Sequence, residues 1–292
     1  MTENISAKNP LVSILMTVYN REKFLEEAIE SVLFCDYINW ELIISDDCSS
    51  DKSFGIAKRY ADQEGRIKLY RNEINLGDYP NRNKAASYAL GKYLVYVDSD
   101  DRMFSDSLSR FVEAMETHQC LFGIFSHTGI SEVFMLEPAS IIPAHFFRKP
   151  VLNFGPVATI VTKDYFNKVG CFPVKYGPAN DMYYNLKASS KTNTLVFPFP
   201  LVDYRVHEGQ EFNNKYSYLY NNYLYLRDAL NELDLPLSSA EKALLAKKNK
   251  RRFLTNIIKY YFKCLNWSKT RSAIRLADFG LRDVVIAIFT TN

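Results

Sequence analysis

Between residues 11 and 100, short apolar runs alternate with helical stretches, and few folds accept that alternation. Leu11–Met16 reads as a strand buried on both faces, ending at Thr17-Val18-Tyr19-Asn20. Phe24, Leu25, Ala28, Ile29, Val32 and Leu33 then share one helical face. Glu41–Ser45 is a second strand that ends in Asp46-Asp47, and Cys48–Asp51 supplies a turn and the N-cap of a helix to about Asp62. Arg66–Arg71 is a third, more polar strand, followed by a loop over residues 72–79. Pro80 suits the first turn of a helix to Leu90, which Gly91 stops. Tyr93–Val97 is the fourth strand. Strands alternating with helices imply an α/β fold with a mostly parallel sheet and right-handed crossovers. Parallel order puts the C-terminal strand ends on one side, so Thr17, Asp47 and Asp100 should meet at one crevice.

The fourth strand stops in Asp98-Ser99-Asp100-Asp101. Strand ends of open α/β sheets are where ligands bind. Carboxylates crowded there repel one another unless a cation or a donor-rich ligand joins them. Mg²⁺ and Mn²⁺ take oxygen ligands, and Mg²⁺ often needs only one or two carboxylates plus substrate phosphates. The cluster therefore suggests a metal–diphosphate site, although Asp and Ser are also ordinary turn and cap residues.

A length of 292 residues suits about two domains, or one large α/β domain with an extension. Hydrophobic content of 47% is ample for a core, and a net charge of +3 says little about partners. The five cysteines form no CxxC pair and fit thiols used as small core residues in a reducing compartment. Met1–Pro10 is polar and no run reaches the length of a spanning helix, so a cytoplasmic protein is expected. No G-x-G-x-x-G follows the first strand, and no G-x-x-x-x-G-K-[ST] occurs. An Asp-x-Asp at a strand end also suits haloacid-dehalogenase phosphatases, but there it follows the first strand, not the fourth. Residues 103–200 are less regular and should complete the sheet with antiparallel or mixed strands; residues 216–292 read as helices.

In order and spacing, Val12–Asn20, Glu41–Ser49 and Tyr96–Asp101 resemble glycosyltransferase family 2, tightly over residues 10–110 and more loosely to about 210. The resemblance implies a GT-A fold, a Rossmann-like and mostly parallel sheet flanked by helices, and a nucleotide-sugar donor. It implies a catalytic domain over 1–215, with a nucleotide-binding half at about 10–110 and an acceptor-binding half at about 111–215, then a helical C-terminal extension over 216–292. Cys48 stands where the family usually has Gly, which is tolerable if that turn does not need positive φ.

Site roles follow from the same resemblance. It implies a nucleotide pocket in which Asp47 accepts from a base imide N–H, Tyr19 offers an aromatic face and Thr17 closes the pocket. A packed turn aromatic and a helix cap are the plainer roles for Tyr19 and Asp47. Asn75 to Arg82 follows the family's Asn-x-Gly plus downstream Arg pattern, which puts Arg82 within reach of a donor phosphate. Asp100 is implied as the principal metal ligand, with Asp98 at the ribose or the metal's water shell, Ser99 beside it in the nucleotide site, and Asp101 behind. The metal, Mn²⁺ or Mg²⁺, would neutralise charge on the departing diphosphate. Gly177–Tyr184 fits the place of the family's acidic pair at a helix start, which makes Asp181 the candidate general base, with Asn180 in place of the commoner acid. Capping that helix is the plainer role for Asp181. Tyr204-Arg205-Val206-His207 resembles a following motif in many bacterial members and makes His207 a candidate metal ligand, or else a structural histidine.

The implied activity is metal-dependent transfer of a sugar with inversion, from a UDP-sugar as the family's commonest donor, to a glycan or lipid-linked glycan hydroxyl in bacterial surface-polysaccharide synthesis. A nucleotidyltransferase is disfavoured because no Gly-rich, Arg/Lys-bearing loop follows the first strand. A nucleotide-sugar-binding protein without transferase activity is the non-enzyme alternative. From Lys242 to Arg275 the chain carries eleven Lys and Arg and no Asp or Glu, interleaved with Phe253, Leu254, Ile257, Ile258, Tyr261, Phe262 and Leu265 at helical spacing. A basic amphipathic helix suits peripheral contact with the inner membrane face, or packing on the catalytic domain or a twin subunit as a homodimer. No nucleic-acid motif accompanies the basic residues.

Overall fold

The computed structural model describes residues 9–208 and 215–289. In chain order its elements are β1 (Val12–Val18), α1 (Leu25–Leu33), β2 (Trp40–Asp46), α2 (Ser53–Gln63), β3 (Ile67–Arg71), α3 (Asp78–Tyr88), β4 (Tyr93–Tyr96), β5 (Arg102–Met103), α4 (Ser107–His118), β6 (Phe122–Phe125), β7 (Phe134–Leu136), α5 (Pro138–Phe147), β8 (Thr159–Thr162), α6 (Lys163–Val169), α7 (Asn180–Ser189), β9 (Thr194–Phe197), β10 (Val202–Asp203), α8 (Lys215–Glu232), α9 (Ser239–Cys264), α10 (Trp267–Leu276) and α11 (Leu281–Phe289).

Eight strands form one sheet in the order β3-β2-β1-β4-β8-β6-β9-β7. The pairs β1–β2, β2–β3, β1–β4 and β6–β9 are parallel, and β8 runs antiparallel to β4 and β6. The sheet is mostly parallel, as the alternation of elements predicts, and the mixed part falls after residue 103. β2 is buried along its whole length and β1 almost so, while β3, at the edge, alternates toward solvent. The first core joins Val12, Ile14 and Met16 of β1 to Ile29 and Val32 of α1, Leu42 and Ile44 of β2, and Val95 of β4. Gly91 does more than end a helix: a Cβ there would lie 2.6 Å from the Ser13 nitrogen, so the close approach of β1 requires glycine.

Chain order positions the site. From β1 the chain adds β2 and β3 on one side, then returns to place β4 on the other. That reversal is a topological switch point, where the crevice beyond the strand ends takes ligands. Leu15 pairs with Tyr96, so Thr17–Tyr19 and Asp98–Asp100 leave the sheet next to each other. A short antiparallel ribbon pairs Met103 with Val202 and Arg102 with Asp203. It brings the chain just before Arg205 beside the chain just after the aspartate turn.

The chain divides into two compact units. The first contains Met1–Met135, Phe154–Phe172 and Thr194–Arg205; the second contains Leu136–Asn153, Pro173–Asn193 and Val206–Asn292. The second therefore draws two segments from within residues 111–215. Its core brings Leu219 and Tyr223 of α8, Phe253 and Ile257 of α9, and Ala273 of α10 together with Ala277 and Phe279. Among the described residues no helix is long and apolar enough to cross a membrane. The five cysteines are unpaired thiols, but only Cys120 is buried. The expectation of core thiols holds for Cys120 and in part for Cys35, which packs half-buried against the first core, whereas Cys48 and Cys171 sit in turns and Cys264 is exposed at the end of α9.

Candidate active site

Two loops at the switch point are stitched by side chains. The Asn20 backbone N–H donates to Ser49 Oγ at 3.0 Å, and the Ser50 N–H donates to Asn20 Oδ1 at 2.9 Å. Asp51 accepts from the Glu22 and Ser53 N–H groups, so it joins α1's approach to α2's start. Tyr19 stands on this platform 48% exposed, and Thr17 is half-buried behind it. Cys48 has φ +63°, so the turn does need the left-handed conformation and the family's usual Gly would fit it without strain. The condition under which Cys48 would be tolerated, a turn without positive φ, is therefore not met.

Asp47 is buried, and its carboxylate organises the loop that follows β3. It accepts from Asn72 Nδ2 at 2.8 Å, from the Leu76 N–H at 2.8 Å and from the Gly77 N–H at 2.9 Å. Asn72 also donates to Asn81 Oδ1 at 2.9 Å, and Asn81 exchanges hydrogen bonds with Ser45. Asn75 is exposed at the tip, its side chain accepting from the Gly77 N–H at 3.0 Å. A carboxylate has about four acceptor positions, so Asp47 has room for one further donor beyond these three.

Asp98, Asp100 and Asp101 each place one carboxylate oxygen within 4.8 Å of the others. Arg82 is buried beside them, donating from Nε to Asp78 at 2.7 Å and from Nη1 to Asp98 at 2.7 Å. It is no solvated helix residue, and in this state its charge is directed at two carboxylates. Burial pushes the Asp98 carboxyl up, and the Arg82 charge opposes that shift. Arg21 Nε donates to Asp100 Oδ2 at 3.0 Å. Asp101 is 0% exposed; its Oδ1 accepts from the Arg205 N–H at 3.0 Å, while the buried Oδ2 has no hydrogen-bond partner. Burial first, then the charge of Asp98, pushes Asp101 up to about 7. Ser99 is buried between the acids. An all-oxygen donor set with an unsatisfied buried carboxylate oxygen is what a hard divalent cation would relieve, so these residues fit Mg²⁺ or Mn²⁺.

Asp181 and His207 lie in the second unit. Asp181 is buried in the first turn of α7, where its Oδ1 accepts from the Met182 N–H at 2.6 Å. Asn180 closes the turn before it, accepting from the Tyr176 N–H at 2.9 Å and donating to the Gly177 carbonyl at 2.6 Å. A carboxylate could accept there but could not donate, which is a local reason for Asn in that position. His207 is half-buried.

Reading the sequence missed Arg21, Asn72 and Asn81, and assigned nothing to Arg205. Arg205 donates to the Asp100 carbonyl, to Glu27 at 2.8 Å and to the Phe24 carbonyl at 3.1 Å, and so clamps the aspartate turn against α1's start. Asn72 directly follows the end of β3, and the rule that singled out Asp47 would have found it; Arg21 lies three residues beyond the end of β1. Nothing in the sequence marks Asn81.

A mostly parallel sheet with clustered carboxylates at its switch point is the architecture of GT-A glycosyltransferases. The model of glycosyl transferase family 2 matches residues 13–165, more than half of the chain, and the protein belongs to that family. WfaP of Escherichia coli, described as a UDP-Glc:alpha-D-GlcNAc-diphosphoundecaprenol beta-1,3-glucosyltransferase, is 29% identical over 220 residues, 72% of this chain and 82% of WfaP. Other curated relatives at 38% identity align over about half of their own length. S. aureus TarS 1–349 in complex with UDP-GlcNAc superposes with a TM-score of 0.72 at 19% identity, covering 94% of this chain and 81% of TarS. PcManGT, a mannosyltransferase from Pyrobaculum calidifontis in complex with GDP-Man and Mn²⁺, superposes at 0.64 with 14% identity, covering 97% of this chain and 88% of that one. At such identities the superpositions speak for the fold.

Proposed function

We propose that this glycosyltransferase moves a sugar from a UDP-sugar to an acceptor hydroxyl with inversion, using a divalent metal, in the synthesis of a surface polysaccharide. The observation that carries the reading is the carboxylate trio at the β1/β4 switch point, with its buried, unpartnered Asp101 oxygen. Asp100 would hold the metal, with Asp98 at the ribose or the metal's water shell, and the metal when bound supplies positive charge for the leaving diphosphate. Tyr19 stacks on the base, Asp47 accepts its imide proton, and Thr17, Asn75 and Ser99 complete the nucleotide site. Arg82 is positioned to turn one donor from Asp98 toward a phosphate. Asp181 takes the proton of the acceptor hydroxyl, which attacks the anomeric carbon from the face opposite the diphosphate. One displacement inverts the configuration. His207 is the further candidate ligand.

TarS with UDP-GlcNAc and WfaP with UDP-Glc favour uridine, whereas PcManGT with GDP-Man shows that the fold also serves guanosine. WfaP's acceptor favours a lipid-linked glycan. Calorimetric titration of UDP, GDP and dTDP, with Mn²⁺ and with chelator, tests the donor site; the expected result is metal-dependent binding of UDP. Asp181→Asn should bind UDP like the parent and lose turnover by roughly a hundredfold or more. Retained turnover would remove Asp181 as the base. An absence of turnover in the parent with every UDP-sugar and lipid-linked acceptor tried, despite UDP binding, would favour a binding protein.

A further inference from the structure

α9 spends one apolar stripe on its own unit: Leu245, Phe253 and Ile257 are buried, with Asn249 among them. A second apolar set remains outside. Ile258 and Phe262 fall at i and i+4 of α9 and are 47% and 71% exposed, and Leu265, the left-handed residue that ends the helix, is 76% exposed. Trp267 opens α10 at 61% exposure, its ring edge-on to Tyr261 at 5.8 Å. Lys259, Lys263 and Lys269 are exposed on the same stretch. They belong to the run of eleven cations without an acid between Lys242 and Arg275.

We propose that this α9–α10 corner docks on an anionic lipid bilayer. Trp and Phe side chains favour the boundary between headgroups and acyl chains, and lysines around them meet lipid phosphates. Charge selects this occupant. A second copy would set one cationic stretch against another, and like charges facing each other oppose association. The inference goes beyond the transferase reading and does not depend on it, because docking involves neither donor nor acceptor.

The chain has two tryptophans, and Trp40 is 2% exposed, so a change in emission on adding vesicles reports Trp267. The full chain is mixed with phosphatidylglycerol–phosphatidylcholine vesicles and with pure phosphatidylcholine vesicles, at low and high salt. Expected are co-sedimentation and a blue shift with the anionic vesicles only, both weakened by salt, and no shift in Trp267→Phe. Lys259→Gln and Lys263→Gln should each lower partitioning about fivefold. The double change Phe262→Ser, Leu265→Ser should lower it roughly tenfold or more while UDP binding and circular dichroism stay unchanged. The proposal is overturned if the folded parent ignores anionic vesicles, or if the double variant sediments like the parent. It is equally overturned if the protein binds no vesicles and instead forms a dimer that the double variant abolishes, which would make the corner an interface between copies.

Discussion

Cys48 holds a left-handed backbone angle of +63° directly after the two aspartates of β2's end. A residue with a Cβ costs about 1–2 kcal/mol in that conformation, part of which glycine returns through the freedom of the unfolded chain. Cys48→Gly should raise stability by about 1 kcal/mol in urea titrations and leave UDP affinity unchanged, since only the Cys48 thiol's contact with the Glu73 carbonyl is lost. Arg21 poses a different question at the same scale. Its guanidinium is ion-paired to Asp100 and also donates to the Tyr19 carbonyl, so a cation at Asp100 must compete with it. The pair is partly exposed, and such pairs contribute at most about 1 kcal/mol. Arg21→Gln should therefore tighten Mn²⁺ binding about two- to fivefold in a calorimetric titration without nucleotide. These residues also show what a sequence can carry. Asp47 and Asp100 are legible because strand ends converge whatever the loops do. The φ at Cys48 is not, because it arises from how two loops are stitched, through Asn20, Ser49 and Ser50.

At the scale of elements, β1, β2, β4 and α1 are legible because each buries several apolar residues, whereas β3 and α3 are legible from their bounds, the alternation of elements and the Pro80 and Gly91 that frame the helix. β5 and β10 have two residues each, too short for any period, and exist only by pairing with each other. α5 is hidden for another reason: Pro138 starts it and Pro143 lies inside it, so its composition reads as loop. That helix carries a pH-sensitive group. His145 is buried, its Nδ1 accepts from the Leu152 N–H at 3.1 Å, and burial alone pushes it from 6.5 down to about 4. The folded ring stays neutral where the unfolded ring takes up a proton. Its contribution is therefore present above pH 6.5 and is lost as pH falls through about 4. Over that window the loss reaches about 3 kcal/mol. His145→Gln keeps an acceptor for the Leu152 N–H, and should flatten the fall in urea-derived stability between those two pH values. A slope identical to the parent's would mean that the acid limb comes from other groups.

At the scale of the whole molecule, the proposed base belongs to the unit built around the C-terminal helices, and the proposed nucleotide residues belong to the other. Within the second unit, α8 supports the turn that leads into α7. Asp228 accepts from the Tyr176 hydroxyl at 3.0 Å and pairs with Lys175 at 3.2 Å; Glu232 accepts from the Tyr183 hydroxyl at 2.8 Å. Burial pushes the Asp228 carboxyl up, but Arg227, the Tyr176 hydroxyl and Lys175 together outweigh it and hold the carboxyl below the usual carboxylate range, so it is ionised at neutral pH. Tyr176 in turn gives its backbone N–H to Asn180, the residue before Asp181. Asp228→Ala leaves the Tyr176 hydroxyl without its acceptor and Lys175 without one of its partners, at a cost of about 1–3 kcal/mol. Because the turn is anchored through that tyrosine, the Asp181 carboxylate should lose its fixed position, and misplacing a reacting group costs roughly ten- to a hundredfold in rate. UDP affinity should not change, since every residue assigned to the nucleotide lies in the other unit. Turnover and calorimetry on one preparation separate the effects: kcat falls while the Kd for UDP stays. Asp228→Asn, which keeps an acceptor for the tyrosine, should recover most of the loss. A Kd that rises in step with the fall in kcat would mean that α8 supports the donor site as well, and that the two halves of the chemistry share one scaffold.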